Sequence, residues 1–377
     1  MMKIPFNKPG FSGKELAYIK EAVARGHLSG NGYFTKKCHQ FFEKRFRIPK
    51  VLLTTSCTSA LEMAGLLVNL KPGDEVILPS YTFVSSANAF VLRGAVPRFV
   101  DIRPDTFNID ETKIASVITK RTKAVIAVHY AGVAAEMDAI QAVARKKNIP
   151  IVEDAAQAVD ATYRGRFLGT LGDLGAYSFH ETKNCMSGEG GALLINRKAL
   201  IPRAEIIWEK GTNRCQFFRG EVDKYTWVDV GSSFLPSELV AAFLYAQLTH
   251  LGKIKEKRKK IYNFYTESLS TLAQRGEVRL PIVPKHCHPN YHMYYLLFSH
   301  KRERNRVMAA LKKKGILAIF HYIPLHLSPM GKRFGYQAGD FPITEDVSER
   351  ILRLPLYNDL TLNDQKFIVK TLKSIIS

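Results

Sequence analysis

Lys183 closes the run Tyr177-Ser178-Phe179-His180-Glu181-Thr182-Lys183, and the small-residue stretch Ser187-Gly188-Glu189-Gly190-Gly191 follows almost at once. Upstream, Ile151-Val152-Glu153-Asp154-Ala155-Ala156-Gln157 reads as a buried strand that ends on a carboxylate. A lysine amine can condense with an aldehyde to an imine, and an aspartate delivered by a strand end can keep a ring nitrogen protonated. Together they point to pyridoxal phosphate chemistry, in which the lysine carries the cofactor and the carboxylate pairs with its pyridinium nitrogen. Each residue also has a bland alternative. Most lysines are solvated and inert, and an aspartate after an apolar strand often caps the next helix. The sharper reading of Lys183 draws on its place between a short apolar strand, Gly175 to Phe179, and glycines that let backbones approach closely.

Further candidates surround this pair. Leu53-Thr54-Thr55-Ser56-Cys57-Thr58-Ser59-Ala60 runs from a strand into a helix whose apolar face includes Leu61, Leu66 and Leu67. Hydroxyls and unpaired amides at a helix N-terminus, here at Ser56, Cys57 and Thr58, form an anion site favoured by the helix dipole. Capping by Thr58 or Ser59 is the competing explanation. Ser178 would face the same phosphate if its strand end meets that loop. Gln157, one turn beyond Asp154, can donate to a ring oxygen. Phe83, in Pro79-Ser80-Tyr81-Thr82-Phe83, can stack on a ring, although an aromatic after a strand is more often core. A larger substrate finds candidates in Ser29-Gly30-Asn31-Gly32, chiefly Gly30 and Asn31, and in His321, Tyr322 and His326. Packing or capping competes for those histidines, and His129 is read as structural. The absence of a GxxxxGK[ST] loop argues against a nucleoside triphosphatase.

The elements that must position these groups alternate between about residues 48 and 196. Strand candidates are 51–54, 75–78, 97–100, 124–128 and 149–152, with helices at 59–70, 85–93, 109–119 and 134–147. Lys71-Pro72-Gly73-Asp74 makes a turn between a helix and a strand. The pattern predicts an α/β domain with a mainly parallel mixed sheet. A long helical region at 236–275 leads to an aromatic strand at 291–298, a helix at 302–314, a strand at 316–320, and closing helices at 345–354 and 363–376. We therefore expect a large domain over 1–250 and a small C-terminal α+β domain over 251–377.

Composition narrows the setting. The 377 residues are 46% hydrophobic and 24% charged, a globular balance that supports a large core. No segment has the roughly 18 uninterrupted apolar residues of a membrane span. The start, Met1-Met2-Lys3-Ile4-Pro5-Phe6-Asn7, lacks the apolar core of a secretory signal, so a cytoplasmic protein is expected. Five cysteines without CxxC spacing fit reduced thiols better than disulfides or a metal site. The net charge of +21 lies partly in the runs 253–260 and 301–314. Solvated helix faces explain such runs, attraction of a phosphate-bearing ligand is a second reading, and no nucleic-acid-binding motif accompanies them.

Over essentially its whole length the chain resembles the DegT-type sugar-nucleotide aminotransferases. The marks are Pro79-Ser80-Tyr81-Thr82-Phe83-Val84, Val152-Glu153-Asp154-Ala155-Ala156-Gln157, Ser178-Phe179-His180-Glu181-Thr182-Lys183 and Gly188-Glu189-Gly190-Gly191. Within that family it is similar to the dTDP-4-amino-4,6-dideoxygalactose transaminases, notably in 179–184, 209–214, 216–220, 222–227 and 320–326. The resemblance implies the type I aspartate-aminotransferase fold and pyridoxal 5'-phosphate. It makes Lys183 the cofactor-bearing lysine and proton shuttle, with Asp154 on the ring nitrogen, Gln157 on the ring oxygen and Phe83 over the ring. Ser56, Cys57, Thr58 and Ser178 would hold the phosphate.

It further implies a homodimer with shared active sites, in which a partner chain gives an asparagine from a Gly-x-Asn motif. Here Gly231-Ser232-Ser233 puts Ser233 at that position, a shorter hydroxyl that would need a water to reach. The segment Asn184 to Gly188 is also one residue shorter than the family pattern. The implied substrates are L-glutamate and a nucleotide sugar, dTDP-4-dehydro-6-deoxy-D-glucose, used in ping-pong order for surface-polysaccharide amino-sugar synthesis, with no nucleic-acid or membrane partner. Relatives that dehydrate carry histidine in place of the lysine, which Lys183 argues against. A nucleotide-sugar aminotransferase of different sugar or stereochemistry, and a non-catalytic regulatory or nucleic-acid-binding protein of the same fold, remain as alternatives.

Overall fold

The computed structural model describes residues 3–376; Met1 and Met2, which open the stretch read above against a secretory signal, lie outside the described residues. Strands β1 (Lys50–Thr54), β2 (Glu75–Pro79), β3 (Val96–Val100), β4 (Thr122–Val128) and β5 (Ile151–Asp154) come first. The short pair β6 (Thr162–Tyr163) and β7 (Arg166–Phe167) follows, then β8 (Leu174–Ser178) and β9 (Gly191–Ile195). Seven of these make one sheet in the order β1-β9-β8-β5-β4-β2-β3. Only β9 runs against the rest, pairing antiparallel with β1 and β8, while the other neighbours pair parallel.

Both faces of this sheet are apolar because successive residues point to opposite sides. Val51 and Leu53 of β1 join one buried cluster and Leu52 the other. Val125 and Ala127 of β4, against Ala124 and Ile126, divide in the same way. Helices Tyr33–Phe46, Met137–Lys146 and Glu238–Leu248 cover the first face, and Cys57–Leu67, Ser85–Val91 and Ile201–Trp208 the second. Each fully buried aliphatic side chain contributes about 1.5–3 kcal/mol, which fixes the sheet and hence the edge where its strands end. Local signals set the turns: Asp74 Oδ2 accepts from Lys71 N at 2.8 Å while Gly73 takes φ +86°, a conformation that favours glycine.

The remaining strands are β10 (Val278–Arg279), β11 (Cys287–His288), β12 (Tyr294–Phe298) and β13 (Ile351–Leu354). β11 extends the β6–β7 pair, and β10-β12-β13 form a separate three-stranded sheet. Helices Leu251–Gln274, Lys301–Lys313 and Leu362–Ile376 pack over it around a third cluster that contains Tyr265, Leu296, Phe298 and Leu352.

Several expected elements differ. The helical region at 236–275 is two helices, Glu238–Leu248 and Leu251–Gln274. The helix expected at 109–119 shrinks to a 3-10 turn, Glu111–Lys113, and one turn of α-helix, Ile114–Val117. The strand expected at 316–320 makes only isolated bridges, Ile316 to Ile4 and Ile319 to Arg353. The helix expected at 345–354 instead spans Pro342–Arg350, because residues 351–354 pair with 294–297 as β13. Strand β9, which starts at Gly191, is not among the expected elements. The basic runs lie on helices with most of their lysines in solvent, but Arg258 is 3% exposed. No helix among the described residues is long and apolar enough to cross a membrane.

Candidate active site

Segments leaving the carboxyl ends of β1, β2, β4, β5 and β8 converge on one edge of the large sheet, the edge where α/β folds bind ligands. There they line a cavity of about 760 Å³, completed by residues 319–322 and 353 and by Phe6 and Asn7 near the N-terminus. Lys183, Asp154, Gln157 and Phe83 all line it. So do Ser56, Cys57, Thr58 and Ser178 at one end and His321 and Tyr322 at another wall.

Asp154 is the last residue of β5 and 6% exposed. Its Oδ2 accepts from Ser86 Oγ at 2.6 Å and its Oδ1 from Ala156 N at 3.1 Å. Ser86 is held in turn by Thr82 Oγ1 at 2.7 Å. Gln157 is fixed at both ends of its amide: Oε1 accepts from Ala131 N at 2.7 Å, and Nε2 donates to Tyr322 OH at 2.9 Å. Phe83 leaves more than half its surface open at the cavity, with its ring centroid 6.3 Å from that of Tyr322.

Lys183 sits in the connection from β8 to β9. Its N–H donates to His180 O at 2.9 Å, and the next residue, Asn184, is locked by Asn290 O at 2.7 Å and His292 Nδ1 at 2.9 Å. Burial pushes the Lys183 ammonium below the usual lysine range; the Cys57 thiol and Asp154 carboxylate oppose that shift and the Arg353 charge adds to it. Burial also keeps the Cys57 thiol protonated, well above its usual range.

At the hydroxyl end, Ser56 caps the helix Cys57–Leu67 by accepting from Ser59 N at 3.0 Å. Thr58 Oγ1 lies 2.8 Å from Ser85 Oγ. The first amides of a helix have no intrahelical acceptor, so Cys57 and Thr58 present N–H groups beside these hydroxyls. Gly191 packs directly on the Ser56–Cys57 peptide, where a Cβ would collide with the backbone. Hydroxyls, helix amides, a lysine of lowered basicity and a strand-end carboxylate make a donor set that fits pyridoxal phosphate.

The opposite wall is aromatic. His321 Nδ1 pairs with Tyr130 OH at 2.7 Å, Tyr81 OH donates to the His321 carbonyl at 3.0 Å, and the His321 and Tyr322 rings stack at 3.6 Å. Tyr322 adopts φ +56°, a left-handed conformation costly for a bulky residue. Burial holds the His321 and His292 imidazoles well below the usual histidine range, so both are neutral.

Other candidates fall outside this chain's cavity. His326 is fully buried, with Nδ1 2.7 Å from Ser80 Oγ and Nε2 3.0 Å from Glu345 Oε1, the packing alternative rather than a ligand position. The loop bearing Gly30 and Asn31 packs on Leu235 and Pro236 and is tied through Gly32 N to Glu238 Oε1 at 3.1 Å. Ser233 is exposed and bridges to Glu209. His129 lines the cavity but is committed: Ala135 N donates to its Nδ1 at 3.2 Å and its Nε2 donates to Glu153 Oε2 at 2.8 Å. Reading the sequence missed Ser85, Ser86, His292 and Arg353. The two serines adjoin the quoted motif 79–84, but nothing local shows that one of them reaches a carboxylate sixty-eight positions away.

Comparison with known proteins agrees with the geometry. Residues 11–373 match the model of the DegT/DnrJ/EryC1/StrS aminotransferase family. The spore coat polysaccharide biosynthesis protein SpsC of Bacillus subtilis is 33% identical over 385 residues, covering 99% of this chain and 97% of that one. Among solved structures, the PLP-form of the putative sugar aminotransferase Spr1654 from Streptococcus pneumoniae superposes with a TM-score of 0.91 at 26% identity, covering 99% and 98%. NtdA from Bacillus subtilis with bound cofactor PMP does so at 0.88 and 26%, covering 100% and 86%. The fold is that of the type I pyridoxal-phosphate enzymes, and the cofactor is pyridoxal phosphate. With a family model spanning nearly its full length and a relative one-third identical from end to end, this chain belongs to the DegT/DnrJ/EryC1/StrS aminotransferases and is a pyridoxal-phosphate-dependent transaminase.

Proposed function

We propose that the chain transfers the amino group of L-glutamate to the C4 ketone of dTDP-4-dehydro-6-deoxy-D-glucose, giving 2-oxoglutarate and dTDP-4-amino-4,6-dideoxy-D-galactose. The observation that carries this reading is the convergence of Lys183 and Asp154 on one cavity that also holds His321 and Tyr322. A volume of about 760 Å³ leaves room for a sugar beside the cofactor. The similarity of blocks such as 216–227 and 320–326 to the 4-aminogalactose branch supplies the choice of sugar. SpsC, named for spore coat polysaccharide biosynthesis, supports a surface-polysaccharide destination.

In this reading pyridoxal phosphate, when bound, supplies the aldehyde and an electron-withdrawing ring. Lys183 would bear it, and its amine, once displaced by the incoming donor, would take the proton from the donor's Cα and return one to sugar C4; the face it uses would set the axial amine. Its lowered basicity makes a neutral amine accessible nearer physiological pH. Asp154, negatively charged and steadied by Ser86, keeps the ring nitrogen protonated. Gln157 faces the ring oxygen, Phe83 covers the ring, and Ser56, Cys57, Thr58 and Ser178 hold the phosphate. Gly30 and Asn31, which line no part of this chain's cavity, meet the nucleotide sugar in the assembled dimer.

The enzyme works as a cytoplasmic homodimer, with Ser233 of the partner subunit reaching the phosphate. Support comes from the exposed aromatics Phe218 and Trp227, 65% and 78% accessible, in the stretch 214–233 that ends on Ser233, a surface that a second copy would cover. The division near residue 250 is part of the same reading, supported by the helix break there and the separate apolar cluster beyond it. A panel of nucleotide-linked 4-keto and 3-keto sugars, assayed with glutamate and read by NMR, tests the proposal. An axial C4 amine on the dTDP sugar is expected; amination of 3-keto sugars alone would discard it.

A further inference from the structure

At the edge of the large sheet opposite the active site lies a second cavity, of about 640 Å³, lined by residues 118–120, 122, 123 and 147–150. The active site collects the carboxyl ends of the parallel strands, whereas this cavity lies at the amino ends of β4 and β5. β4 runs from Thr122 here to Val128 at the active site, so roughly 20 Å of strand separates the two. The pairing register makes the space. β5 starts at Ile151, and its first partner on β4 is Val125, which leaves residues 122–124 without a strand on that side. On the other side Glu75 pairs with Thr122 and Val76 with Ala124, so Lys123 is an extra residue at a β-bulge. A bulge re-aims a side chain, and Lys123 is exposed between the buried Thr122 and Ala124.

Charge is one-sided there. Lys120, Lys123 and Lys147 line the cavity, and no carboxylate does. None of the three joins an ion pair among the described residues. The acids at this edge are already committed: Glu75 accepts from Thr119 Oγ1 at 2.6 Å and Arg121 Nη2 at 2.7 Å, and Asp173 accepts from Ile151 N at 2.9 Å. Lys147 also follows the last turn of the helix Met137–Lys146, where any cation is favoured by the helix dipole. Lys120 and Lys123 have no such role. Asn148, in a left-handed conformation at φ +54°, adds a side-chain amide to the lining. The half-buried Ile118 and Pro150 and the buried Ile149 give the cavity an apolar side. Like charges gathered round one hollow repel, and an anion of two or more charges relieves that repulsion. Lysine ammonium groups bind phosphate oxygens as point charges.

We propose that this cavity is a second ligand site, which binds a diphosphate group through Lys120, Lys123 and Lys147. It is independent of the sugar and the donor assigned above. The test titrates cofactor-loaded protein calorimetrically with adenosine diphosphate and with inorganic diphosphate. Salt is kept at about 0.15 M, where diffuse attraction is screened beyond about 8 Å. Lys123→Glu and Lys120→Glu should each weaken binding by about 10-fold or more. Lys260→Glu, an equal change of charge on the exposed face of the helix Leu251–Gln274, should weaken it by less than about 2-fold. Tighter binding of adenosine diphosphate would assign the site to an organic diphosphate whose body rests on Ile118, Ile149 and Pro150. Tighter binding of inorganic diphosphate would assign it to the free anion, and either order supports the site if the lysine dependence holds. Absence of binding to wild type would overturn the proposal. So would equal weakening by all three substitutions, which would mean diffuse charge alone, or binding insensitive to Lys123→Glu and Lys120→Glu, which would place the probe in the active site. If one of the two cavity variants does not fold, the other decides.

Discussion

On the sheet side of the cavity, Asp154, Gln157 and Thr58 each have a protein partner at 2.9 Å or less. On the side made by residues 319–322 and 353, the groups are stacked rings, a neutral imidazole and a guanidinium with an unpartnered Nε. The first wall hangs on strand ends whose positions are fixed by a sheet buried on both faces. The second joins residues 319–322, a segment with only an isolated bridge and one left-handed tyrosine, to Arg353 on β13. On the second wall His321 and Tyr322 are also held, by Tyr130 OH at 2.7 Å and Gln157 Nε2 at 2.9 Å, so its unspent donor is the Nε of Arg353. The difference between the walls is thus a fully paired carboxylate and amide on one side and a cation with a spare donor on the other.

The largest effect should come from the sheet side. Lys183→Ala removes the only lysine that lines the cavity among the described residues, and transamination should slow by about 10³-fold or more. The absorbance band of the lysine-bound cofactor should vanish with it, which a spectrum of the purified variant checks. A persistent band would place the covalent link elsewhere.

Asp154→Asn comes next, because it keeps the shape and loses the charge. A fall in turnover of about 10²-fold is expected, with the protein still folded. Ser86→Ala removes one hydrogen bond to that carboxylate and should cost about 10-fold. Turnover numbers for the two variants, measured at saturating substrates, order charge against orientation. If Ser86→Ala were as damaging as Asp154→Asn, the serine would have a role of its own at the cofactor.

The same contrast explains what could be read from the sequence. Asp154 and Lys183 were legible because each follows a short apolar strand and breaks its pattern with a charged residue. The parallel strands were legible for the same reason, down to shifts of a residue or two. The second wall was not. His321 and His326 lie five positions apart in one motif, yet one reaches the cavity and the other is sealed between Ser80, Glu345 and Phe341. Residues 351–354 continue a helical pattern from Glu345, and only pairing with 294–297 makes them a strand. Arg353 went unnoticed because that pairing, a long-range event, is what turns it toward the site. Nothing local distinguishes it from the many solvated arginines of a chain with 55 Lys and Arg residues.

The smallest effect is the most specific, because its sign differs between the walls. Capture of added pyridoxal phosphate by cofactor-free protein requires Lys183 as a neutral amine, so its rate should climb as pH rises through the Lys183 pKa. Burial depresses that pKa, Asp154 pulls it back up and Arg353 pushes it further down. Arg353→Met should therefore move the midpoint of the rate-pH curve upward, and Asp154→Asn should move it downward. The stability of the cofactor-free protein follows the same linkage. Between the folded pKa of Lys183 and the ordinary lysine value the unfolded chain binds more protons, so stability rises with pH across that window. Raising the folded pKa narrows the window in Arg353→Met, and lowering it widens the window in Asp154→Asn. Opposite shifts from two substitutions on facing walls require that Lys183 sits between them and responds to both. Shifts of the same sign would mean that the lysine responds to a general loosening of the cavity, and the contrast between the two walls would fail.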